Sequence, residues 1–146
     1  MSPGGARAHL TPEERTAIGI ALRGAACHDV TMLAMLVTRL LDGNAQDLAD
    51  LRRAIARRDW PEVQRSLHRL KGSAALARCH TLVVAGKSLE SAAGQGNAGV
   101  VNTLLPRYAA ILKEFDDTLS ALRQSRCACQ CAADRHTGAP ASDNLK

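Results

Sequence analysis

With 146 residues, 46% of them apolar, the chain has material for one modest core and a tail rather than two domains. Only 2% of residues are aromatic (Trp60, Tyr108 and Phe115), which disfavours a sheet, and a net charge of +5 from nineteen bases and fourteen acids is too mixed for a polycationic nucleic-acid binder. Five cysteines, an odd number, with no apolar leader and no apolar run near the ~20 residues of a membrane span, lead us to expect a reducing cytoplasm.

Residues 1–10, with Pro3, Gly4 and Gly5, read as a disordered lead. Thr11-Pro12-Glu13-Glu14 then has the composition of a helix start, with Thr as N-cap, Pro in the first position and acids in the first turn. The helix is predicted to run to about Leu22 and to stop at Gly24. Asp29 is the next candidate N-cap. Leu33, Leu36, Val37, Leu40, Leu41, Leu48, Leu51 and Ile55 follow at spacings of three and four, one apolar stripe on a helix. Gly43-Asn44 is placed either to break that helix or to bend it.

Asp59 caps a third helix, with Pro61 early enough that its missing N–H costs nothing. Val63, Leu67, Leu70, Ala74 and Ala77 form its narrow core seam. Cys79-His80-Thr81 reads as a junction, and Leu82, Ala85, Gly86, Leu89 and Ala93 stripe a fourth helix that ends in Gly94-Gln95-Gly96-Asn97. The last helix carries apolar positions from Val101 to Leu122, with Pro106 inside the pattern as a kink. From residue 125 the sequence loses its period, and 125–146 are predicted to be a disordered tail beyond a domain at 11–124. Long helices with short connections predict an all-α, antiparallel up-down four-helix bundle, with the short first helix added at one end.

His68 is one position from the seam residue Leu67, so it is turned by about 100° onto the shoulder of its helix. Gln64, Arg65, Lys71, Gly72 and Ala75 share that face. A mid-helix glycine costs roughly 1 kcal/mol relative to alanine. Gly72, one turn from His68 and off the seam, therefore asks for a reason, and the reason we favour is clearance for another protein's surface over close packing within the bundle.

His68-Arg69-Leu70-Lys71-Gly72-Ser73-Ala74 resembles the HxxKGSA signature of bacterial histidine-containing phosphotransfer (HPt) domains. The segment from Ala54 to Trp60 looks like the family's turn before the histidine helix, and Leu82 and Leu89-Glu90 fall at family positions. The likeness spans about residues 29 to 123 and looks most like the modules at the ends of unorthodox hybrid sensor kinases. One departure is Arg78, where the family often has glycine.

The resemblance implies a phosphorelay carrier with no ATP site and no kinase activity of its own. His68 would be the phosphorylated nucleophile and Lys71 would face the phosphoryl oxygens. Gly72 would give clearance, while Gln64, Arg65, Arg69, Ser73, Ala75 and Arg78 would meet the partner. Those partners would be receiver domains of a hybrid sensor kinase and of a response regulator, with no nucleic acid and no membrane contact. The chain itself would bind no cofactor, Mg²⁺ being supplied by the receiver. It would work in the cytoplasm, alone or as the cytoplasmic end of a membrane-bound kinase. The alternatives are a helical adaptor that binds a receiver without phosphotransfer and, resting only on net charge, a DNA-binding helical protein. Cys127, Cys129 and Cys131 with His136 have a metal-like composition, but the spacing is not CxxC and no apolar framework surrounds it, so no metal site is expected. Cys27 and Cys79 read as small buried hydrophobes.

Overall fold

The computed structural model describes residues 9–138, with side chains described for 9–124. Among them are five helices and no strand: α1 (Pro12–Ala25), α2 (Val30–Ala56), α3 (Trp60–Leu76), α4 (His80–Gly94) and α5 (Ala98–Gly138). Each boundary has a local cause. The Thr11 hydroxyl accepts from the Glu14 N–H, Asp29 accepts from the N–H groups of Thr31 and Met32, and Asp59 accepts from that of Glu62. Cys79 precedes α4 without a side-chain cap. Glu14 of α1 takes over that task, accepting from the Thr81 N–H at 2.8 Å and from its hydroxyl at 2.7 Å, so a carboxylate sits at the positive end of α4.

The turns are short because their backbones close tightly. Arg58 (φ 56°), Arg78 (φ 57°) and Gly96 (φ 66°) occupy left-handed positions after α2, α3 and α4. In each case the next residue's N–H reaches back across the turn, as from Cys79 to the Ala74 carbonyl at 2.8 Å. Cys27 and His28 are both left-handed as well, at the α1–α2 turn. Arg78 stands where the resemblance leads one to look for glycine, and the conformation that favours glycine is kept with a side chain in place.

Helix α2 packs on α3, α3 on α4, α4 on α5 and α5 back on α2, a closed ring, while α1 lies against α5 and α2. The α3 seam is buried as its spacing predicts: Val63, Leu67, Leu70, Ala74 and Ala77. The core is aliphatic except for Cys79, Tyr108 and Phe115. One polar link crosses it: the Asn44 amide, buried on α2, donates to Asp116 of α5 at 2.8 Å. Burial pushes the Asp116 carboxyl up and the neighbouring Asp117 charge adds to that, against the Asn44 bond and Lys113, which pull it down.

Several expectations need correction. Helix α1 continues through Gly24 to Ala25. Of the two readings of Gly43-Asn44 only the break is overturned: α2 runs through it, and Asn44 finds its partner across the core. Leu10 is no part of a disordered lead: it is buried and its N–H donates to Glu114 at 3.1 Å, while residues 1–8 lie outside the described residues. Helix α5 does not stop near Gln124 but extends to Gly138; residues 139–146 lie outside the described residues. Cys79 is buried, but Cys27 is exposed because its left-handed turn carries it off the core.

Candidate functional site

Helix α3 is anchored on the ring by its seam, so whatever stands one residue off the seam is displayed on a rigid support. His68 is exposed in this way. It lines an open depression of about 670 Å³ together with Pro61, Gln64, Arg65 and Arg69 of α3 and Glu90 of α4. Glu90 was not assigned to the site from the sequence beyond its family position. The signal was there in the helical phase: Leu89 is buried, so Glu90 lies one residue past a core leucine, as His68 lies one past Leu67.

The expected partner-facing residues separate into groups. Gln64, Arg65 and Arg69 meet His68 in the depression. Lys71, Gly72, Ser73 and Ala75 continue along α3 beyond it. Arg78 is ten residues from His68, past the end of α3 in the turn into α4. Lys71 is half-buried and, among the described residues, engages in no ion pair. Ser73 Oγ is buried without a hydrogen-bond partner among the described residues.

Gly72 is exposed, and among the described residues a Cβ built there would meet nothing within 4 Å. Close packing against the described residues therefore does not explain the glycine. The space above it is open to whatever approaches His68.

The arginines are less available than their number suggests. Arg65 Nε donates to Glu62 at 2.8 Å. Arg69, which also lines the depression, reaches across to α2, donating to Asp47 at 2.9 Å and to Asp50 at 3.4 Å, with Glu62 at 3.6 Å and the buried Ser66 hydroxyl at 3.2 Å. The Asp47 bond, against a desolvation cost and reinforced by the charges of Asp47, Glu62 and Asp50, raises the guanidinium above even its ordinary value. Arg69 is thus a tie between α2 and α3, and its charge is spent locally.

Among the described residues no group of three or more His, Cys, Asp or Glu side chains is placed to hold a metal. The side chains of Cys127, Cys129, Cys131 and His136 lie outside those described.

A family model for the Hpt domain matches residues 35–125, a span that contains α3, α4 and every residue of the depression. No curated protein and no solved structure matches the chain.

Proposed function

The chain belongs to the Hpt domain family, and on that premise we propose that His68 is its phosphoryl-carrying residue, loaded by one receiver domain and unloaded by another. Hpt domains are phosphotransfer carriers and not kinases, so the chain takes part in a two-component histidine phosphorelay. The observation that carries the residue assignment is the display of His68: exposed, off the seam of a rigid helix, beside an open depression and one turn from a glycine with empty space above it.

The neutral imidazole attacks the phosphorus of a receiver's aspartyl phosphate in line. The Nε2–P bond forms, the acyl O–P bond breaks, and the carboxylate leaves with the electron pair. Delivery is the same step reversed onto a second receiver. Transfer of this kind asks little covalent chemistry of the carrier, and positioning with charge stabilisation does most of it. Lys71 supplies a positive charge for the phosphoryl oxygens, Gln64 a carboxamide that orients the group or the ring, and the receiver brings Mg²⁺. Arg65, Ala75 and Arg78 form the surrounding contact face, with Arg69 tied to α2; the Ser73 hydroxyl is buried and is not part of that face. The ring of α2–α5 serves as an antiparallel four-helix bundle with α1 as an accessory. The donor is the receiver of a hybrid sensor kinase, at whose cytoplasmic end such a module sits, and the acceptor is a response regulator. Among the described residues no single helix is long and apolar enough to cross a membrane.

The test is incubation with a phosphorylated receiver, followed by mapping of the acid-labile phosphate. Label on His68, lost in His68→Gln, is the expected result. Receiver binding without label would favour the adaptor reading instead.

A further inference from the structure

We propose that Gly94, at the end of α4, is a positioning residue for the His68 site and acts through Gln64. The inference rests on the reading of His68 as the phosphoryl acceptor. Gly94 is exposed and is the last residue of its helix. Its backbone does not call for glycine: the left-handed position at this turn belongs to Gly96, two residues on. Alanine would suit the helix better. What the missing side chain does allow is a contact. Gln64 Nε2 lies 3.1 Å from the place a Cβ at residue 94 would occupy, inside ordinary van der Waals separation.

Gln64 is one turn before His68 and lines the same depression. Among the described residues its carboxamide makes no hydrogen bond, and Gly94 forms part of the surface it rests against. A methyl group there would push the carboxamide away from α4 by a few tenths of an ångström. The movable end of Gln64 would yield, not the backbone, so the fold would survive while the geometry beside His68 changed. Gly94 thereby differs from Gly72, whose missing side chain leaves space for a partner rather than for a residue of this chain.

The experiment compares the full chain with Gly94→Ala, Gln64→Ala and the double variant. It reads the rate of phosphoryl uptake from a phosphorylated receiver, the NMR resonances of the His68 ring, and the melting temperature. Gly94→Ala is expected to slow uptake about threefold, since small misplacements at a transfer site cost rate, to shift the ring resonances and to melt no lower than wild type. In the Gln64→Ala background the same substitution should change neither rate nor resonances. Wild-type rate and resonances in Gly94→Ala, or effects that add in the double variant, would overturn the inference. A wild-type chain that takes up no phosphate would instead refute the acceptor role of His68. The resonances would then decide the inference alone: a ring shift on Gly94→Ala that needs Gln64 sustains the coupling, and a shift that is absent or independent of Gln64 ends it.

Discussion

Arg69 Nε donates to Asp47 Oδ1 across 2.9 Å, so the residue following His68 in the chain is tied to α2 instead of being offered to a partner. The same guanidinium faces Asp50 and Glu62. Removing it leaves three carboxylates beside one another without their shared cation. Arg69→Ala should destabilise the fold by about 1 kcal/mol, a modest figure because the side chain is partly solvated. Arg69→Lys should restore only part of the loss, since a point charge cannot span the same partners. Urea unfolding gives the values, and an unchanged midpoint in Arg69→Ala would show that these pairs contribute nothing.

Gly72→Gln separates clearance from packing. The Cβ of the new side chain meets nothing within 4 Å among the described residues, and glutamine replaces a poor helix former, so the melting temperature should hold or rise. Phosphotransfer should fall by more than about tenfold, because the side chain enters the space a receiver needs. A stable variant with wild-type transfer would remove Gly72 from the site.

Lys71→Ala should alter stability by at most a few tenths of a kcal/mol, as surface changes generally do. Transfer at low salt should slow by about tenfold, the scale of one charge-assisted contact. The rate measured against salt concentration tests this. Equal rates at low salt would leave Lys71 without a role in transfer.

Glu114 of α5 links the N-terminal segment to the ring, accepting from the Leu10 N–H and from Arg15 and pairing with His9. Desolvation works against its charge, but the bonds from His9 and Leu10 and the charges of His9 and Arg15 outweigh it and hold the carboxyl below the ordinary 4.5. A depressed carboxyl contributes stability above its unfolded value, and that contribution is lost as the pH falls through the folded one. Glu114→Gln should therefore melt below wild type near neutral pH, and the gap should close as the pH drops below about 4.5. A gap constant across that range would mean the charge is not what holds α1 and Leu10 in place.

The parts of the molecule legible in the sequence are those written along a single helix. The Leu67–Leu70 seam placed His68 off the core, and Asp29 and Asp59 marked helix starts, because periodicity and capping are properties of neighbours in the chain. The partners of Arg69 and Asn44 were not legible: they lie 22 and 72 residues away, and a stripe says which face turns inward without saying what it meets. For the same reason Arg65 and Arg69 read as partner-facing when both are paired within the chain. Gly94 drew notice only as a helix end, since the group it accommodates stands on another helix. The end of α5 was not legible because an apolar period reports which face is buried, whereas a helix can continue on backbone hydrogen bonds without one.

The depression beside His68 is open, and the face of α3 that carries it ends in empty space over Gly72. On the proposed reading, the chain supplies one side of the transfer site and each receiver would supply the other, so nothing in the depression itself would tell an incoming phosphoryl group from an outgoing one. The direction of flow must then be decided elsewhere, by the relative energies of the two acyl phosphates and by how much of each receiver is present. Substitutions around His68 should accordingly change forward and reverse rates together and leave the equilibrium between the receivers where it was.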